Sequence, residues 1–149
     1  MPNFMRASIT MTAFAGLLAL TACADGMMGN SKVALNATLN GAQEVPPVPT
    51  AATGAMTGSL DRGTKTLTWT VSYSGLSGPV AAAHFHGPAA AGVNAGVVQP
   101  ITVSASPMQG SAQLTDAQIA DLLAGRWYVN IHTAARPGGE IRGQVNQAK

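Results

Sequence analysis

From Thr64 to Tyr73 the chain alternates residue by residue, with Leu67, Trp69, Val71 and Tyr73 on one side and Thr66, Thr68, Thr70 and Ser72 on the other. Side chains of an extended strand point to opposite faces in turn, so the pattern describes a ribbon with one apolar and one polar face. β-Branched and aromatic residues favour that conformation, and a half-buried antiparallel strand requires the alternation. Such a ribbon must find partner strands and a shared core, and Trp69 is predicted to lie in it. Thr53–Leu60 precedes it across Asp61-Arg62-Gly63, which predicts a hairpin.

The same reading places strands elsewhere. Val33–Leu39 alternates Val33, Leu35, Ala37 and Leu39 against small or polar residues. Gln43–Pro49 (QEVPPVP) is excluded from a regular central strand, because prolines donate nothing to a ladder. A strand carrying His84 and His86 follows and is closed by Gly87-Pro88, with Ala89–Ala95 as a loop. Val97–Val103 reads as a strand interrupted by Pro100, and Pro107–Gly110 as a turn. Thr115 and Gln118 fit a capping box that opens a short helix, with Ile119, Leu122 and Leu123 at helical spacing and Gly125 as its stop. Trp127–His132 is a strand, Pro137-Gly138-Gly139 a turn, and Glu140–Val145 the last strand, with Ile141 and Val145 inward and Glu140, Arg142 and Gln144 outward. The pattern predicts an all-β antiparallel fold of seven to eight strands, a Greek-key barrel or immunoglobulin-like sandwich with one short helix.

Chemistry concentrates on two of these strands. Val80–Pro88 (VAAAHFHGP) and Trp127–His132 (WYVNIH) hold all 3 histidines of the chain. His84 and His86 point the same way, about 6.6 Å apart along the strand, while Phe85 faces oppositely with Ala81 and Ala83. In the second run Trp127, Val129 and Ile131 take one face and Tyr128, Asn130 and His132 the other. Apolar residues can thus fill a core while three imidazoles stand on the outer side. Neutral imidazole offers a nitrogen lone pair, and three of them suit copper or zinc, with copper at the peak of the affinity order for divalent ions. A single ion held at roughly 2 Å requires the three nitrogens to lie within about 4 Å of one another. Glu140 is an auxiliary candidate, as a partner of a ligand histidine or as a ligand itself, and Arg142 on its face can pair with it. The competing reading is plain: His84 and His86 as surface residues, His132 bonded to a loop carbonyl.

Other chemistries find little support. There is no serine nucleophile elbow and no glycine-rich phosphate loop. Asp61, Asp116 and Asp121 read as caps and solvated charge. Tyr128 and Asn130 flank the histidine site.

The N-terminus predicts where the protein resides. Arg6 is followed by the apolar run Ile9–Leu20, 12 residues long, too short to span a bilayer and suited to a signal peptide. Leu20-Thr21-Ala22-Cys23 resembles the lipobox of bacterial lipoproteins, which implies lipidation of Cys23 and a mature chain starting there. Residues 1–22 are then a lipoprotein signal peptide, 23–32 a tether containing Met27 and Met28, and 33–149 the β domain. Met27 and Met28 are soft candidate ligands for Cu(I). Alanine at position 24 resembles outer-membrane sorting, facing the periplasm of the bacterial cell envelope. Cys23 is the only cysteine, so no intramolecular disulfide forms. The mature charge of seven Lys or Arg against six Asp or Glu gives no reason to expect nucleic acid.

Over Val33–Val145 the chain resembles the CHRD domain, named from chordin. The resemblance rests on LNGAQEVPP (Leu39–Pro47), AAAHFHGPA (Ala81–Ala89), the Leu114–Gly125 helix and YVNIHTAARPGGEIRGQV (Tyr128–Val145). It implies a β-barrel or immunoglobulin-like sandwich and implies little about activity. A second likeness is to copper-zinc superoxide dismutases. His84, His86 and His132 match three of that family's four copper-binding histidines, and Gly138-Gly139 match its turn. The bridging histidine, the zinc ligands and the disulfide have no counterparts, and Glu140 stands where that family places an arginine.

The resulting expectation is a lipid-anchored envelope protein that stores, buffers or transfers copper through His84, His86 and His132, with zinc as the alternative to copper. Catalysis is not the favoured reading. The competing functions are a metal-free module that binds another envelope protein, and a dismutase-like copper redox enzyme.

Overall fold

The computed structural model describes residues 31–149. The signal segment, Cys23, nearly all of the tether and both of its methionines lie outside the described residues. None of the described helices is long and apolar enough to cross a membrane.

Among the described residues the strands are β1 (Lys32–Asn40), β2 (Thr53–Asp61), β3 (Thr66–Ser74), β4 (Val80–His86), β5 (Val97–Pro100), β6 (Met108–Gln113), β7 (Tyr128–Thr133), β8 (Arg136–Gln144) and β9 (Asn146–Gln147), with one α-helix, α1 (Asp116–Leu123). Eight strands form a continuous path, β5-β4-β7-β8-β1-β2-β3-β6, and β9 adds to β1. Every pairing is antiparallel, and the path curls into a nearly closed barrel. The expected all-β antiparallel fold with one helix is present, as a barrel rather than two separate sheets.

The alternating ribbon does what its pattern requires. Leu67 and Val71 are wholly buried and Trp69 nearly so, against β2 in unbroken register from Thr53↔Ser74 to Asp61↔Thr66. The turn lies one step later than expected: Asp61 still pairs, and its carboxylate caps the turn by accepting from Gly63 N and Thr64 N at 2.8 and 3.0 Å. At α1 the capping box forms as read. Gln118 N donates to Thr115 Oγ1 at 3.2 Å, and Thr115 N donates to Gln118 Oε1 at 2.9 Å. Leu122 seals the helix to the core, and Gly125, at φ +69°, ends it.

Four local expectations fail. Pro107–Gly110 is not a turn, because Met108–Gln113 forms β6 against β3. Gly110 lies opposite Trp69, and a Cβ there would come within 2.5 Å of the indole, so this glycine makes room for a ring rather than a bend. The strand at Val97 stops at Pro100, and Ile101 instead donates its N–H to Ala83 O at 2.9 Å. Pro137-Gly138-Gly139 belongs to β8, and the chain reverses at Ala134-Ala135. Ala81 is exposed rather than inward, because the β4–β7 register slips between Val80 and Ala82.

The core fixes the face of the histidine strand. Phe85 packs edge-on against Trp69, centroids 5.2 Å apart, and beside Trp127 at 6.1 Å. Burying one such ring contributes about 1.5–3 kcal/mol. A one-residue slip would expel Phe85 and drive two imidazoles inward, so the aromatic cluster sets the histidines on the outer face.

Candidate metal centre

β4 and β7 are neighbours, and their register sets Ala82 opposite His132, His84 opposite Asn130 and His86 opposite Tyr128. Residues directly opposite share a face, so His84, His86, Tyr128, Asn130 and His132 all stand outside the barrel wall. Phe85, Val129 and Ile131 occupy the inner face, fully buried.

The three imidazoles meet. One nitrogen from each lies within 4.8 Å of the other two. His84 Nδ1 and His132 Nε2 are 3.3 Å apart. A tetrahedral ion bonded at about 2.0 Å holds two nitrogens about 3.3 Å apart, so this pair already has the spacing of two ligands. The widest separation exceeds the 4 Å expected of a loaded site, and binding asks the rings to close by roughly 1 Å.

The outward imidazoles are not bare surface residues, since His86 and His132 are each only 9% exposed. Each also has one nitrogen committed to the backbone. His86 Nδ1 donates to Ala95 O at 2.9 Å, and His132 Nδ1 donates to Pro137 O at 2.9 Å. A carbonyl oxygen only accepts, so both protons are placed on Nδ1 and the neutral rings present lone pairs at Nε2. Both Nε2 atoms approach the side-chain amide of Asn130 at 3.0 Å. Burial, with the neighbouring His132 and His86, holds the His84 pKa below its usual value. Burial lowers His132 as well, and His86 adds to this, while the bond to Pro137 opposes it. Both shifts favour the neutral, ligating form.

A loop between β4 and β5 covers the site. His86 stacks flat on Tyr128, centroids 4.7 Å apart. The Tyr128 hydroxyl accepts from Ala95 N at 3.2 Å. The Arg142 guanidinium lies over the same phenol ring, 3.4 Å from its centroid, and donates to Asn94 Oδ1 at 3.0 Å and Val93 O at 2.8 Å. Gln144 donates to Ala89 O at 3.0 Å. These bonds pin the loop from both ends.

Glu140 is not brought to the histidines. Its carboxylate is wholly buried and accepts from Thr50 Oγ1, Ser77 N, Ser77 Oγ and Thr133 Oγ1 at 2.7 to 3.0 Å. Nor does Arg142 pair with it, since its donors go to the covering loop. The acid near Arg142 is Glu44, 5% exposed, whose pKa burial raises to about 7 against the pull of that guanidinium. Asp61 caps its turn as the sequence implies, while Asp116 and Asp121, read as caps or solvated charge, form ion pairs with Lys65 and Arg126.

Strand parity identified the three rings and their flanking neighbours Tyr128 and Asn130. It missed the Ala95 and Pro137 carbonyls that fix the tautomers, because every residue carries a carbonyl and nothing in a sequence marks one. Arg142 over Tyr128 had a usable signal: the two are an outward cation and an outward aromatic on strands that pair. Comparison with family models matches the chain to one described as CHRD domain, over residues 35–145. Comparison with curated proteins and with solved structures gives no match.

Proposed function

The chain belongs to the CHRD domain family, and from that premise we propose that it is a copper-binding protein of the bacterial cell envelope. It stores, buffers or hands on the metal, and it is held to the membrane by lipid on Cys23. The ligands are His84, His86 and His132. What carries the reading is the pair of Nδ1–H bonds to Ala95 O and Pro137 O, which leave the ligating lone pairs of two buried rings facing a common point. Ligand histidines in metal proteins are oriented in this way by a bond from the second nitrogen. All-imidazole donors suit copper and zinc, and copper leads by intrinsic affinity. A set of three protein ligands leaves a position open for exchange, which suits a carrier.

Titration of the purified protein with Cu(II), with Cu(I) under reductant and with Zn(II), beside a His84→Ala/His86→Ala variant, tests the assignment. The expected result is one ion per chain with copper tightest, and a loss of more than about 100-fold in the variant. Equal uptake by both proteins would sink the ligand assignment. A wild type that takes up no metal would favour instead the module that binds another envelope protein.

A further inference from the structure

Asn130 stands among the three rings. It is 3% exposed, and its Oδ1 position lies 3.0 Å from His86 Nε2 and 3.0 Å from His132 Nε2. Those two nitrogens carry lone pairs, since both ring protons are engaged at Ala95 O and Pro137 O. An amide oxygen facing two lone pairs would set acceptor against acceptor. The NH2 end of the same amide carries two protons, one for each ring, and the two ends of a primary amide have nearly the same shape. Exchanging them turns both contacts into hydrogen bonds donated to the ring nitrogens.

Building on the metal-binding reading of the histidines, we infer that Asn130 is the gate of the site. In the metal-free protein its NH2 group donates to His86 Nε2 and His132 Nε2 together, closing the cluster on itself. An entering cation needs those same two lone pairs, so the amide must release each ring before that ring can ligate. Asn130 therefore competes with the metal. It stabilises the empty site, slows loading and weakens net affinity, which suits a protein that must give its metal up as well as take it. The gate depends on two protons on one nitrogen: aspartate has none to offer, and alanine removes the competitor altogether.

The test uses the wild-type protein labelled with 15N, with diamagnetic Zn(II) as the probe, and follows the Asn130 side-chain amide by NMR. Without metal, its two protons should exchange slowly with solvent, and both should show coupling to imidazole nitrogens. With Zn(II) bound, both couplings should vanish and exchange should quicken. The Asn130→Ala variant should bind Zn(II) about tenfold more tightly than wild type and load faster, as expected when two opposing hydrogen bonds are removed. Zn(II) uptake by the wild type with the Asn130 couplings unchanged would overturn the gate and leave the histidine site standing. Weaker binding by Asn130→Ala would overturn it too, by making the residue a ligand. No Zn(II) uptake by the wild type would end the metal reading and the gate with it.

Discussion

Glu44 and Glu140 are both buried acids, yet their surroundings drive them in opposite directions. Burial alone would raise Glu140, but hydrogen bonds from Ser77, Thr133 and Thr50 hold its carboxyl below the usual value. Glu44 has only the Arg142 charge and a backbone hydrogen bond from Val45 to oppose burial. Its Oε1 has no hydrogen-bond partner, and it packs where a Cβ on Gly139 would collide with it. Burial therefore dominates, and its pKa rises to about 7 from 4.5. In the unfolded chain the group loses its proton near 4.5, so between that value and 7 the folded state binds more protons. The stabilising contribution is thus fully present below pH 4.5 and is lost as pH rises through 7. Comparing urea midpoints of wild type and Glu44→Gln across that window isolates it from the histidines. The variant, permanently neutral, should gain on wild type by on the order of 2 kcal/mol as pH rises from 4.5 to 8, allowing for solvent screening. A constant difference at all pH values would show that folding leaves the Glu44 pKa unshifted.

At the scale of the element, β6 shows how a partner can dictate a residue. MQGSAQ has no apolar alternation beyond Met108 and Ala112, and its glycine reads as a bend. Gly110 is there because the Trp69 indole crosses the strand opposite. Gly110→Val should force the ring aside and destabilise the fold by about 1–3 kcal/mol, read as a lower urea midpoint and altered tryptophan fluorescence. An unchanged midpoint would mean the indole moves freely. The same contrast divides what was legible in the sequence from what was not. The β2–β3 hairpin and α1 were readable because their signals are local: alternation, an aspartate before a turn, a threonine three residues before a glutamine. The β7–β8 reversal was not, since Ala134-Ala135 has no turn chemistry while the Gly138-Gly139 that mimics a turn lies in a strand. Gly139, at φ +125°, is needed to admit Glu44 from a loop 95 residues earlier in the chain. The histidines were legible by parity alone, because a one-residue slip would have exposed Phe85.

Across the whole molecule, the site is assembled from pieces far apart in sequence, and Arg142 is where they meet. From β8 its guanidinium reaches the Tyr128 ring on β7 and two partners in the covering loop, Asn94 Oδ1 and Val93 O. It also faces Glu44 from the loop after β1, and Asn94 in turn donates to Val45 O of that loop at 3.1 Å. A guanidinium that is 1% exposed has lost its water, so these contacts must replace it. They hold residues 93–95 over the barrel wall, and Ala95 O is the acceptor that orients His86. Replacing Arg142 by methionine keeps most of the bulk and removes the fork of donors. Hydrogen exchange should then quicken by roughly tenfold or more in residues 87–96 while the β2–β3 hairpin stays protected. With His86 no longer held by a fixed carbonyl, metal affinity should fall by about 10- to 100-fold with all three ligands intact. Arg142→Lys should fare little better, since one ammonium cannot reproduce the planar fork or its stacking on Tyr128. If the loop keeps its protection in Arg142→Met, the cover is held by His86, Tyr128 and Gln144 without the guanidinium, and Arg142 has no part in shaping the site.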